Sequence, residues 1–243
     1  MCGRYASSRA PEDLAGLFDA RLDTDHVLEP SWNVAPTDEV WAVLERAERG
    51  SGAVERQLRP VRWGLVPSWA KDPAVGSRMI NARVETVHEK PAYRRALAKR
   101  RCLLPADGFY EWVAVPATAS AKAYKQPYFI RPETGSVVAM AGLYEFWRDP
   151  AVADDGDPAA WLTTATVITT EATDAAGRIH PRMPLALDPD DYEEWLDPSH
   201  QDTAALRTLL HTPADGRLTV AAVSTAVNSV RNDGPHLLDP LTP

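Results

Sequence analysis

A cysteine stands at position 2, directly behind the initiator, in a chain that opens Met1-Cys2-Gly3-Arg4-Tyr5 and has only one other cysteine, Cys102. Removal of Met1 would leave a first residue with a free α-amine and a thiol on adjacent carbons, a pair that can condense together with one aldehyde. Reference pKa values of about 7.7 to 8.0 for the amine and about 8.5 for the thiol leave both nucleophilic forms minor but accessible near neutral pH. Taken alone, Cys2 is equally a small residue tolerated after the initiator. The rest of the chain has to decide between these readings.

Other chemistries are narrowed by what the chain lacks. Two cysteines make neither a disulfide framework nor a cysteine-rich zinc site, and Cys102, inside Arg101-Cys102-Leu103-Leu104, reads as a buried thiol. The six histidines show no metal-ligand spacing, and His88-Glu89 continues Lys90-Pro91-Ala92 rather than closing a His-Glu-x-x-His motif. There is no Gly-x-Ser-x-Gly elbow and no phosphate-cradling glycine loop. No metal or cofactor is therefore expected. Asn81 alone reads as a turn residue, His180 as a surface or structural histidine, and Glu111 as a strand residue on a solvated face, with Glu145 in a similar local sequence.

The elements that would position such residues are those of a folded chain with an ordinary composition. Its 243 residues are 44% hydrophobic and 25% charged, enough for one large domain or two small ones. No apolar run reaches the roughly 18 to 20 residues of a membrane helix, and the opening lacks the pattern of a secretory signal, so a soluble cytoplasmic protein is expected. The net charge of -8 disfavours a generic nucleic-acid coat protein. Its distribution is uneven: eight basic residues against Glu85 and Glu89 between Arg78 and Arg101 give that segment +6 and leave -14 elsewhere. For Arg94, Arg95 and Lys99 a solvated helix face stays open beside an anion-binding surface, and for Arg100 contact with an anion is likewise undecided.

Twenty-one scattered prolines and thirteen glycines predict many short elements joined by ordered turns. Pro11, Glu12 and Asp13 suit a first helical turn, and Leu14, Leu17 and Phe18 would form its apolar face in a helix near 11–20. Further helices are expected at 91–100, 190–196 and 203–210. Apolar runs or alternation predict strands at 40–44, 58–65, 102–113, 128–131, 136–146, 161–170 and 218–225. Residues 117–125 read as a hairpin insertion and 149–160 as an exposed loop. The echo between Gly108-Phe109-Tyr110-Glu111-Trp112 and Gly142-Leu143-Tyr144-Glu145-Phe146-Trp147 reads as two similar strands. The pattern predicts a mainly antiparallel α+β fold with a curled, barrel-like sheet and flanking helices, as a single domain over 1–243.

Five segments are dense in polar and aromatic residues: Trp32-Asn33-Val34-Ala35-Pro36-Thr37, Trp63-Gly64-Leu65-Val66-Pro67-Ser68-Trp69, Ile80-Asn81-Ala82-Arg83-Val84-Glu85-Thr86, the stretch from Pro105 to Trp112, and Ile179-His180-Pro181-Arg182-Met183-Pro184. In this order, behind Met1-Cys2-Gly3-Arg4 and ahead of Val227-Asn228-Ser229-Val230-Arg231-Asn232-Asp233-Gly234-Pro235, they resemble the SRAP family, the SOS response-associated peptidase family of abasic-site-binding proteins. The resemblance covers nearly the whole chain. It implies an α+β domain with a curled sheet, loss of Met1, and capture by Cys2 of the ring-opened aldehyde of an abasic site in single-stranded DNA as a thiazolidine.

Carried over by position, the resemblance makes Cys2 the reactive residue, Asn81 the residue whose amide carbonyl orients the terminal amine, Glu111 the catalytic glutamate and His180 the catalytic histidine. A carboxylate can take the amine's proton and assist dehydration, and an imidazole can shuttle a proton near neutrality. Arg4, Arg83 and Arg182 are nominated as contacts to phosphate or sugar, with Trp69, Pro36 and Thr170 lining the lesion. Where some members of the family have a second aromatic residue, this chain has Ala70. The implied partner is abasic single-stranded DNA, with replication machinery as a possible further partner, acting as a monomer in the cytoplasm and at the nucleoid. Rival readings are an N-terminal-nucleophile glutamine amidotransferase, whose downstream motifs are missing here, a peptidase acting in trans, and a non-catalytic DNA-binding module, which the overall acidity disfavours.

Overall fold

The computed structural model describes residues 2–47, 52–154, 156–173, 175–211 and 217–241. In chain order the first half runs β1 (Tyr5–Ser7), α1 (Pro11–Leu17), β2 (Arg21–Leu22), β3 (Ser31–Val34), β4 (Glu39–Ala47), β5 (Val54–Trp63), β6 (Asn81–Arg83), α2 (Arg94–Lys99) and β7 (Arg101–Ala106). It continues with β8 (Gly108–Val115), β9 (Tyr124–Pro132), β10 (Val138–Arg148), β11 (Trp161–Glu171), β12 (Arg182–Pro184), α3 (Tyr192–Leu196), α4 (Thr203–Thr208) and β13 (Leu218–Ala222).

The larger sheet closes on itself. Strands β11, β10, β7, β4 and β5 are neighbours in that order, and β5 returns to β11 through a short parallel pairing of Arg62 with Thr164 and Trp63 with Ala165. The apolar run of β4 follows from this closure, because both faces of its strand are buried. Val40, Ala42 and Leu44 pack with Val61, Trp63, Cys102, Leu104, Met140, Tyr144 and Ala165. Trp41 and Val43, on the alternate face, pack with Leu97, Leu103, Ala141, Leu143 and Trp195, where the helices cover the barrel. The second sheet, β13-β9-β8-β1-β3, is antiparallel throughout. Its Tyr5, Phe109 and Ile130 share the first of these clusters with Cys2. The α+β, barrel-like expectation holds.

Several local expectations are corrected. Residues 102–113 form two strands, β7 and β8, that separate at Asp107, whose N–H donates to Ala6 O and whose carboxylate accepts from Ser8 N. β7 stays in the barrel and β8 crosses to the second sheet, so the two echoing segments lie in different sheets. α1 ends at Leu17 and buries Pro11 and Leu14, Phe18 is buried directly after it, and Leu17 itself is 58% exposed and does not join the apolar face. α2 begins at Arg94 rather than near Pro91, and α4 ends at Thr208. Tyr124 and Lys125 belong to β9, paired with Val115 and Ala114, which shortens the hairpin connection. The expected loop at 149–160 contains Asp155, outside the described residues, and ends in a short helical turn that buries Ala160.

The segment after β5 is set by two glycines. Gly64 has φ +121°, and a Cβ there would lie 2.6 Å from Gly76 O, while one on Gly76 would lie 2.5 Å from Gly64 O. Only hydrogen fits at that backbone approach, which seats Leu65, Val66 and Pro67 against the barrel and leaves Trp69 outside it. Among the described residues no helix is long and apolar enough to cross a membrane.

Candidate functional site

Cys2 is fully buried in the apolar cluster that the barrel and the second sheet share. The amide nitrogen of Asn81 donates to Cys2 O at 2.7 Å, and the Cys2 thiol makes a long contact with Arg4 O at 3.8 Å. Asn81 is carried by β6, which lies parallel to β11 with Asn81 opposite Val167 and Arg83 opposite Thr169. Asn81 Oδ1 is buried without a hydrogen-bond partner among the described residues, so one end of the amide holds the Cys2 carbonyl and the other end is an unused acceptor. The expected role for Asn81 used only the carbonyl end. Met1, whose removal the sequence predicts, lies outside the described residues.

The thiol is not set up as a thiolate. Burial, reinforced by the negative charge of Glu111, pushes the Cys2 thiol up to about 12. This corrects the expectation of an accessible thiolate, because the apolar cluster around Sγ penalises charge. Cys102 is buried as expected, and burial raises its thiol as well.

Glu111, on β8, is only 4% exposed. Burial raises its carboxyl above the ordinary carboxylate range, and His180 opposes that shift. His180 reaches it from the turn before β12, with Nδ1 3.9 Å from Glu111 Oε1. The same Nδ1 lies 3.0 Å from the backbone N–H of Arg182, which can donate to it. Cys2, Asn81, Glu111 and His180 are thus brought together from the chain start, β6, β8 and the β11–β12 connection. Their arrangement offers an amide clamp, a buried carboxyl and an imidazole around Cys2.

The nominated contact residues fall into two groups. Arg83 and Trp69 are exposed, Trp69 at 68%. Pro36 and Thr170 are half-buried, with Thr170 paired to Met183 across β11 and β12. Arg4 and Arg182 are already engaged within the protein. Arg4 donates to Asn33 Oδ1 at 2.6 Å and to Val227 O at 3.0 Å, and its guanidinium lies 5.9 Å from the Trp112 ring centre. Arg182 is held by both carboxylate oxygens of Glu85 and donates to Thr169 O at 2.6 Å. Of the remaining basic residues, Arg100 pairs with Glu145 at 2.7 Å, and fully buried Arg101 donates to the carbonyls of Leu97, Trp195, Asp197 and His200. Arg94, Arg95 and Lys99 are exposed.

Asn33 was not singled out by type or spacing, yet it organises the site's flank. Its amide nitrogen donates to Ser229 O and Asn232 O, and Trp32 N donates to Asp233 Oδ1, tying β3 to the C-terminal segment. A polar residue embedded in Trp32-Asn33-Val34 was the available signal. Thr37, in the same segment, has φ +79°, a strained conformation for a β-branched residue, and its N–H donates to Trp63 O.

Comparison with known proteins gives a consistent picture. The family described as SOS response associated peptidase (SRAP) matches residues 1–230. "Abasic site processing protein YoqW" of Bacillus subtilis (strain 168) is 36% identical over 241 residues, covering 98% of this chain and 99% of its own. "Abasic site processing protein YoaM" of the same organism is 38% identical over 240 residues, covering 98% of each chain. "Abasic site processing protein HMCES" of Gallus gallus is 36% identical over 276 residues, covering 99% of this chain and 78% of its own. A crystal structure of a Bacteroides thetaiotaomicron protein shares the fold, with TM-score 0.79 at 22% identity over 99% of this chain and 100% of its own. A Bordetella bronchiseptica protein gives TM-score 0.66 at 30% identity over 92% of this chain and 100% of its own. With the family match spanning residues 1–230 and these relatives aligned almost end to end with it, the chain belongs to the SOS response associated peptidase family.

Proposed function

We propose that this protein recognises abasic sites in single-stranded DNA and, after removal of Met1, traps them covalently through Cys2, shielding the lesion from strand scission during the response to DNA damage. The observation that carries the reading is the gathering of a buried Glu111, His180 at 3.9 Å and the Asn81 amide around Cys2. Relatives named for abasic site processing, aligned along nearly all of this chain, support the substrate. We read residues 1–243 as one domain that acts as a monomer at the nucleoid.

In the proposed reaction the α-amine of Cys2 attacks the aldehyde carbon of the ring-opened sugar. The carbinolamine loses its hydroxyl as water, protonated by Glu111 or His180, and leaves a Schiff base. The thiol then adds to the imine carbon, its proton passing to the imine nitrogen, and the five-membered ring closes with one water released overall. A high thiol pKa suits this order, because the neutral amine attacks first and sulfur adds to an already activated carbon. Asn81 Oδ1, the unused acceptor, orients the amine. In the preceding self-processing step the same carboxyl and imidazole assist cleavage of the Met1–Cys2 bond.

The test is denaturing electrophoresis with an abasic single strand. A covalent adduct forms with the wild type and none with Cys2→Ala; an adduct that persists in the variant, or intact mass showing retained Met1 in a crosslinking preparation, overturns the assignment.

A further inference from the structure

The indole of Trp69 is 68% exposed, yet the backbone that carries it is fixed from both ends. Ala70 N donates to Pro67 O at 2.8 Å and closes a turn whose two central residues are Ser68 and Trp69. Ahead of that turn, Val66 N donates to Thr164 Oγ1 at 2.9 Å. Behind it, Ala70 O accepts from Trp147 Nε1 at 2.7 Å. Thr164 is fully buried on β11 and Trp147 is 4% exposed on β10, so both holding groups belong to the barrel wall rather than to the loop. In these adjacent strands Glu145 pairs with Thr164 and Trp147 with Leu162. Residues opposite one another, and residues two apart along a strand, share a face of the sheet, which puts Thr164 and Trp147 on the same side. The loop is laid across that side with one pin before the turn and one after it.

The barrel strands are already held by their own ladders, β10 to β7 and β11. The Trp147 N–H serves the loop instead, and the Thr164 hydroxyl adds only a long contact with Glu145 O at 3.4 Å to its bond with Val66. A backbone group buried without its partner is costly, so removing either pin favours a loop that has moved. An aromatic side chain on a loose loop must be ordered at the moment of contact, whereas one whose turn is fixed beforehand spares that entropy. We propose that Trp147, together with Thr164, is a positioning residue for Trp69 and holds its ring ready for the DNA strand. The proposal rests on the abasic-DNA reading above. It also gives the second of the two echoing segments a purpose: the one beginning at Gly142 ends in Trp147, the residue that holds Ala70.

The test takes Trp147→Phe and Thr164→Val, each alone and combined with Trp69→Ala, through adduct formation with an abasic single strand and through backbone amide exchange read by mass spectrometry. Trp147→Phe should raise exchange at residues 66–70 severalfold while β4 and β7 stay protected. At subsaturating strand it should slow adduct formation about tenfold, by no more than Trp69→Ala does, and at saturating strand it should leave the rate unchanged. Added to Trp69→Ala, it should cost less than about twofold more, because the residue through which it acts is already gone. Thr164→Val, close in shape to the native side chain, repeats the pattern and stands in if Trp147→Phe does not fold. Losses that multiply with that of Trp69→Ala, a lower rate at saturation, no loss in either single variant, or unchanged exchange at residues 66–70 would overturn the assignment. Absence of a wild-type adduct would instead reject the abasic reading, with amide exchange still reporting whether the two pins hold the loop.

Discussion

Glu85 holds the guanidinium of Arg182 with both carboxylate oxygens, and the backbone N–H of that arginine faces Nδ1 of His180 at 3.0 Å. The nominated phosphate contact is therefore neutralised in the free protein and tied to the His180 imidazole. Arg182 holds the Glu85 carboxyl below its ordinary range through this hydrogen bonding. The stabilisation is present above the unfolded-state pKa and is lost as pH falls through the depressed folded value. Because Glu85 is largely exposed, it amounts to less than about 1 kcal/mol. Glu85→Gln should raise affinity for intact single strands severalfold and flatten the acid limb of stability, measured by anisotropy and by urea unfolding between about pH 3 and 6. Unchanged affinity would show that Arg182 does not meet phosphate.

Asn81, Glu111 and His180 should separate in kinetics. Glu111→Gln and His180→Ala should slow adduct formation while leaving noncovalent binding near wild type, and unchanged rates in both would remove their catalytic roles. Burial raises the Glu111 carboxyl. If it must be ionised to take the amine's proton, the wild-type rate falls on the acid side at a pH above the usual carboxylate range, and Glu111→Gln loses that limb. Asn81→Leu removes the bond to Cys2 O and should slow the reaction about tenfold, from roughly 1–3 kcal/mol for a lost buried hydrogen bond.

The buried thiols give a pH signature of their own. Burial raises both Cys2 and Cys102, so the stabilisation of keeping them neutral is complete below the unfolded thiol pKa, about 8.5, and is lost as pH rises toward the folded values. Folded protein should resist iodoacetamide near pH 8 at both cysteines and label at both after unfolding, read by intact mass. Rapid native labelling of Cys2 would contradict its burial.

DNA affinity should report the arginines. Three phosphate contacts through Arg4, Arg83 and Arg182 give a log-log salt slope near -2, at about -0.7 per contact, and Arg83→Ala should reduce its magnitude by about 0.7. A slope near zero would exclude all three.

Gly64→Ala should destabilise the fold by about 2 kcal/mol or more, because a Cβ would meet Gly76 O at 2.6 Å and φ is +121°. Urea unfolding measures the change, and a neutral effect would show that the backbone can part there without cost.

Periodicity carried much of the fold. The long strands β4, β10 and β11 announce themselves through apolar runs, because a strand buried on two faces cannot hide its composition, whereas β5 buries only Leu58, Val61 and Trp63 among polar residues. The short strands β1, β2, β3, β6 and β12, of two to four residues, were not legible, since none spans enough residues for a period. β6 and β12 nevertheless carry Asn81, Arg83 and Arg182, which the order of motifs had already singled out.

By itself the sequence determined the chemical inventory: an aminothiol in waiting at Cys2, a carboxyl and an imidazole in recognisable surroundings, and the family to which those motifs belong. Residue type and order along the chain are enough for that. Only the tertiary structure decided that the barrel closes through Trp63 and Ala165, that the Cys2 thiol is kept neutral, and that Arg4 and Arg182 are anchored before any ligand arrives. Those outcomes depend on partners far apart in sequence and on burial, and neither is encoded in any local stretch of residues.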